Sequence, residues 1–153
     1  MTITEFEELE IWKDARELCK VIRKYSSREY FRQDFGLKNQ INNASGSIMD
    51  NIAEGFERDG NREFLQFLSV SKASCGEVRS QSYRAFDAGF IDATELKDLL
   101  SRTEILRKKI IGFMFYLKRT DISGRKFKPV NSETNNPDKT KSCNPETPKP
   151  KNI

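Results

Sequence analysis

The sequence predicts an all-α protein, an up-down-up-down four-helix bundle. Four stretches carry apolar residues at steps of three and four, the spacing that lines one face of a helix. Short polar connections join them, which makes consecutive helices antiparallel neighbours. No segment sustains the period-two alternation of a half-buried strand.

The first helix is expected over about residues 9–26. Ile11, Ala15, Leu18, Ile22 and Tyr25 step by four, three, four and three, and Trp12 and Cys19 widen the stripe. The run SSREYFRQD then breaks the period and reads as a connection with room for one short turn. The second helix, about 35–58, has Leu37, Ile41, Ala44, Ile48, Ile52 and Phe56 on its inner face. Asp59-Gly60-Asn61 is a turn signal. The third helix, about 61–88, carries Phe64, Phe67, Leu68, Cys75, Val78 and Phe86. It closes on FDAGFI, where Gly89 suits the left-handed C′ position and Phe90 is placed to pack back on the last turn. The fourth, about 92–119, opens with DATE, in which Asp92 and Glu95 have the spacing of a capping box. Leu96, Leu99, Thr103, Leu106, Ile110, Phe113 and Leu117 form its stripe, the longest in the chain. Residues 1–8 are a lead. Residues 120–153 are rich in Pro, Asn, Thr and Lys, with almost nothing to bury, and are expected to be a disordered basic tail.

Composition excludes much chemistry. The chain has 153 residues and no histidine, which removes His-dependent triads, His general bases and His-containing zinc sites. Cys19, Cys75 and Cys143 are scattered, which fits a reducing cytoplasm and makes no four-cysteine metal site. There is no phosphate-binding loop and no GxGxxG. No cofactor, no metal and no catalytic residue are expected. The acidic N-terminus has no apolar core of a signal peptide, and no apolar run is long enough for a membrane span. The net charge is +4. Residues 1–119 hold 20 basic and 19 acidic side chains, and residues 120–153 hold 7 and 4, so the basic character belongs largely to the tail.

One stretch does not read as ordinary core. In SIMDNIAEGF, the residues Ser47, Asn51 and Glu54 share a face beside the apolar stripe, with Gly55 among them. On the third helix Ser74, Glu77 and Gln81 stand at steps of three and four. A hairpin closing near residue 60 brings the two stripes together, and Ala44, Gly46, Ala73 and Gly76 permit close approach. The reading is a buried polar network that fixes register between helices. The competing reading makes Glu54 and Glu77 an acid–base pair. A third is contact with a ligand or partner.

FEELEIWKDARELCKVI, FGLKNQINNASGSIMDNIAEGF and REFLQFLSVSKASCGEVRSQ together resemble the bacterial family of 23S (large-subunit) ribosomal RNA intervening-sequence proteins, over about residues 6–119. The resemblance implies a four-helix bundle that assembles into a ring, usually a homopentamer, and no enzymatic activity. It also implies a distant similarity to the accessory variability determinant of diversity-generating retroelements, a pentamer that binds nucleic acid and a reverse transcriptase. The positions matching the family pattern are Asn51, Ile52, Ala53, Glu54, Gly55, Phe67, Ser74, Glu77 and Gln81. Met49, Ala73 and Gly60 depart from it, standing where proline, glycine and a Ser or Thr cap are common.

Basic residues complete the reading. Lys13, Arg16, Lys20, Arg23 and Lys24 lie on one side of the first helix, and Arg107, Lys108 and Lys109 on the fourth. The plain account is a solvated face with intrahelical ion pairs. The functional account is contact with RNA or DNA phosphates, repeated by a homo-oligomer into a basic band. No RNA-recognition signature is present, so low sequence specificity is expected. Two functions follow: a non-enzymatic nucleic-acid-binding accessory protein, or a scaffold that recruits a partner protein and touches no nucleic acid.

Overall fold

A computed structural model describes residues 2–122. It is all-helical, with five α-helices and no strand among the described residues. After a 3-10 turn at Phe6–Glu8 come α1 (Glu10–Ser26), α2 (Glu29–Gln33), α3 (Phe35–Glu57), α4 (Asn61–Asp87) and α5 (Ala93–Ile122). None of these helices is long and apolar enough to cross a membrane.

The four long helices enclose one core. α3 packs on α1 and α4, and α5 packs on α4 and α1. Each neighbouring pair runs antiparallel, as cross-contacts show: Ser26 with Asn42, Ser47 with Ser74, Asn61 with Leu117, and Glu10 with Lys109. Ile22, Ile48, Leu68 and Ile110 are fully buried, one from each long helix. A fully buried side chain of this kind contributes roughly 1.5–3 kcal/mol.

The ends are set by local chemistry. Asp34 caps α3, its Oδ1 accepting from the Leu37 N–H at 3.0 Å. Gly60, with φ 98°, turns the chain into α4. At the end of α4, Gly89 has φ 77°. There the Phe90 N–H donates to the Ala85 carbonyl and the Gly89 N–H to that of Phe86, both at 2.9 Å. That is the two-bond closure of a Schellman end. The capping box of α5 is complete: the Glu95 N–H donates to Asp92 Oδ1 at 2.8 Å, and the Asp92 N–H to Glu95 Oε1 at 3.0 Å.

The connection after α1 holds its expected short turn, the five-residue helix α2, in which Phe31 is buried. Phe90 stacks on that Phe31 ring at 4.9 Å. Two expectations need correction. Phe86 is 39% exposed and outside the core, because Ser82 and Ala85 take the inner positions of that turn. The last helix runs to Ile122, so residues 120–122 belong to α5. The rest of the expected tail lies outside the described residues.

Candidate nucleic-acid interface

α1 turns Ile11, Ala15, Leu18 and Ile22 inward. At about 100° per residue, Lys13 and Lys20 then point away from the core, with Arg16 and Arg23 on one shoulder and Lys24 on the other. All five are exposed. Lys20 donates to Glu17 at 2.8 Å. The Arg16 guanidinium sits 5.8 Å from the centre of the Trp12 ring. Among the described residues Lys13, Arg16, Arg23 and Lys24 make no ion pair. Of the three acidic residues of this helix, Glu10 and Asp14 lie on the flank toward α5, where they are already engaged, and Glu17 stands beside the basic residues as the partner of Lys20.

The basic residues of α5 do not join this face as free charges. Lys109 reaches across to α1 and donates to Glu10 and Asp14, each at 2.8 Å. Those two hydrogen bonds, Asp14's first, hold its ammonium above the usual lysine range, and Lys109 in turn holds the Glu10 carboxyl below its ordinary value. Arg107 pairs with Glu104 at 2.9 Å, and Lys108 approaches the same carboxylate at 3.6 Å. Lys109 is therefore a clasp between helices, and Glu104 neutralises much of the rest.

The polar joint exists in part. Ser47 and Ser74 share a hydrogen bond of 2.9 Å between α3 and α4. Asn51 Nδ2 donates to the Ser47 carbonyl at 2.8 Å and to its Oγ at 3.1 Å. Ser71 Oγ donates to the Ile48 carbonyl at 3.0 Å. At Gly55 the two helices leave no room for a Cβ, with Phe64 and Phe67 against it. Glu54 is not a member. Its side chain is 51% exposed and accepts from Arg58 of the next turn at 2.7 Å. The reason is angular: seven residues fall about 20° short of two full turns, so Glu54 drifts to the outer shoulder while Gly55 takes the contact. Glu77 is also exposed and lines a groove beside Gln81, which is buried. Glu77 faces the level of Asn43, eleven residues from Glu54, or roughly 16 Å along α3. The two carboxylates are thus not brought together as an acid–base pair.

Burial raises both thiols of the described residues, that of Cys75 to about 12. Neither is thiolate at neutral pH, the form a nucleophile needs. Among the described residues no group of His, Cys, Asp and Glu is arranged to hold a metal ion.

Sequence reading missed the corner between α1 and α3. Tyr30 is 77% exposed and Phe35 72%, the most exposed of the large hydrophobic residues. Arg28 and Arg32 flank Tyr30 in the chain. Arg28 is committed to a bidentate pair with Glu95 and lies 4.7 Å from the Tyr25 ring centre. The available signal was two aromatics standing off the apolar stripes, Tyr30 in the connection and Phe35 at the start of α3.

The family model for the 23S rRNA-intervening sequence protein matches residues 7–112. No curated protein matches the sequence. The fold is similar to that of a crystal structure of a protein with unknown function from the S23 ribosomal protein family of Bacteroides thetaiotaomicron VPI-5482. The two share 15% identity and superpose with a TM-score of 0.63, over 68% of this chain and 97% of that one.

Proposed function

Because the chain belongs to the 23S rRNA-intervening sequence protein family, we propose that it is a non-enzymatic accessory protein that binds RNA or DNA through phosphate contacts. In this reading the four long helices act as an up-down-up-down bundle. Bundles associate into a ring, most simply a homopentamer, and work in the cytoplasm without a cofactor. The observation that carries it is the outer face of α1, where Lys13, Arg16, Arg23 and Lys24 are exposed and make no ion pair among the described residues. One such face is a weak electrostatic site. Ring symmetry repeats it into a band, and phosphate contacts carry no sequence information.

Assembly has a surface to use. Phe115 is 62% exposed, and Ile105 and Tyr116 are about half exposed, all on α5 away from the core. That same surface also supports the second reading, a scaffold for a partner protein.

The test is salt-dependent binding to structured RNA and duplex DNA, comparing the full chain with a Lys13→Gln/Arg16→Gln/Arg23→Gln/Lys24→Gln variant. Both carry the same tail, so its lysines cancel. Each lost phosphate contact should flatten the slope of log affinity against log salt by about 0.9 on duplex DNA. An unchanged slope and affinity would move the scaffold reading ahead.

A further inference from the structure

A groove of about 390 Å³ opens between the N-terminal lead, α1 and α5. Ile3, Leu9 and Ile11 line it from the lead and α1, and Gly112, Phe113 and Tyr116 from α5. Leu9 and Ile11 are buried, while Tyr116 is 42% exposed. The rings of Phe113 and Tyr116 stack with centres 6.0 Å apart. Gly112 keeps the groove open, since a Cβ added there has no packing neighbour within 4 Å. The two charged residues that line it, Glu10 and Lys109, already pair with each other at 2.8 Å. What the groove has left to offer is apolar surface.

The surroundings add a sign. Residues 1–10 hold Glu5, Glu7, Glu8 and Glu10 and no lysine or arginine. Glu5, Glu7 and Glu8 are exposed and make no ion pair among the described residues. Lys13, Lys118 and Arg119 are exposed cations of the same end of the bundle, and none pairs with them. A phosphate or an anionic lipid headgroup meets like charge here. An apolar side chain flanked by cations suits both the walls and the charge.

The chain leaving α5 carries such a group. α5 runs antiparallel to α1, as the Glu10–Lys109 pair shows, so its last turn lies at the end of the bundle where the lead begins. In residues 123–153 Phe127 is the only aromatic residue, and Val130 follows it. Arg125, Lys126 and Lys128 flank Phe127, and the first acidic residue of that stretch is Glu133. The reach is sufficient. Ile122 is six residues past Tyr116 and ten past Gly112, about 9 and 15 Å along the helix. Five extended residues span up to about 17 Å, and Ser123-Gly124 is a turn signal that lets the chain double back.

We propose that this groove receives Phe127 of the same chain, with Arg125, Lys126 and Lys128 set against the acidic lead. The segment after α5 then acts as a strap that holds the lead on the bundle. The tether makes a weak contact sufficient, because a short flexible linker gives an effective concentration of about 1 mM. The inference rests on the groove and on the sequence of residues 123–130, and is independent of the phosphate-binding reading.

The experiment is limited trypsin digestion of the full chain, with the sites and rates of cleavage read by mass spectrometry. Cleavage after Arg125 and Lys126 should be about tenfold slower than after Lys139 and Lys141, since a contact of about 0.1 mM held at millimolar effective concentration is open about a tenth of the time. Gly112→Leu fills the groove where there is room for a side chain, and Phe127→Ser removes the occupant without touching a described residue. Each should speed cleavage after Arg125 at least about fivefold, less than the worth of a buried phenylalanine, and leave the rates after Lys139 and Lys141 unchanged. Equal rates at both pairs of sites in the parent, or variants that leave the Arg125 rate unchanged, would overturn the proposal. So would a Gly112→Leu chain that regains protection when refolded with an excess of the Phe127→Ser chain, whose groove is open. A second copy of the chain would then be the occupant.

Discussion

Replacing Gly55 by alanine adds one methyl group where α4 leaves α3 no room for a Cβ. A Cβ there would lie 2.7 Å from Phe64 Cδ2 and 2.9 Å from Phe67 Cβ. Carbon atoms in contact prefer about 3.5–4.0 Å, so α4 must give way by roughly 1 Å at this level. Phe67 cannot yield alone, because its Cβ is fixed to the helix backbone. Phe64 is 2% exposed and packs edge-on against Phe56 at 6.2 Å and Phe113 at 5.4 Å. Overpacking of this kind costs about 1–3 kcal/mol. Alanine returns about 0.8–1.0 kcal/mol of helix propensity, so the net loss should be about 0–2 kcal/mol, and about 1–3 kcal/mol relative to a glycine replaced without a clash. Gly46→Ala is the internal comparison. It lies on the same helix, and its added Cβ has no heavy atom within 4 Å. It should keep the propensity gain and be stabilised by up to about 1 kcal/mol. Urea unfolding followed by circular dichroism reads both. The midpoint should fall for Gly55→Ala and rise for Gly46→Ala, with the slope unchanged in each. A Gly55→Ala protein as stable as Gly46→Ala would refute the close approach, and with it the account of why Gly55 interrupts α3.

Further outcomes follow from the same geometry. Glu54→Ala should cost less than about 0.5 kcal/mol, the worth of an exposed i,i+4 pair; a thermal melt showing a loss above about 1 kcal/mol would mean that Glu54 is covered in an assembly. Glu95→Gln should destabilise the protein by about 1 kcal/mol at pH 7, because Arg28 first, and then the Asp92 N–H, hold the Glu95 carboxyl below its ordinary value. A depressed carboxyl gives stability that is present above its unfolded pKa and lost as pH falls through the folded one. Denaturation curves of variant and parent should therefore draw together as the pH falls below the ordinary glutamate value, and a gap that does not shrink with acidification would contradict the assignment. Phe115→Ser with Tyr116→Ser should lower the mass seen by sedimentation equilibrium at unchanged helicity, since exposed aromatic surface of this kind marks a contact site; a mass unaffected by both changes would place any assembly surface elsewhere.

The helices were legible because what makes them is local. The stripe of Ile11, Ala15, Leu18 and Ile22 encodes its own inward face, and Gly89 and the Asp92–Glu95 pair close and open helices through bonds within a few residues. The α2 corner was not legible, because Phe31 becomes core only when Phe90, far along the chain, arrives to stack on it. The basic residues show the same divide. Lys24 and Lys109 are indistinguishable as letters, and periodicity places each only relative to its own helix. Packing α5 on α1 carries Lys109 onto Glu10 and Asp14 and leaves Lys24 exposed without an ion pair among the described residues. In the polar joint, the sequence shows that Ser47, Asn51 and Glu54 share a side of α3, and the structure half-buries the first two and turns the third out. The angular drift of seven residues sets Glu54 only about 20° from Ser47, and whether such a shoulder is covered depends on how near the neighbouring helix comes. At Gly55 it is the Phe64 ring and the Phe67 Cβ that come up against α3.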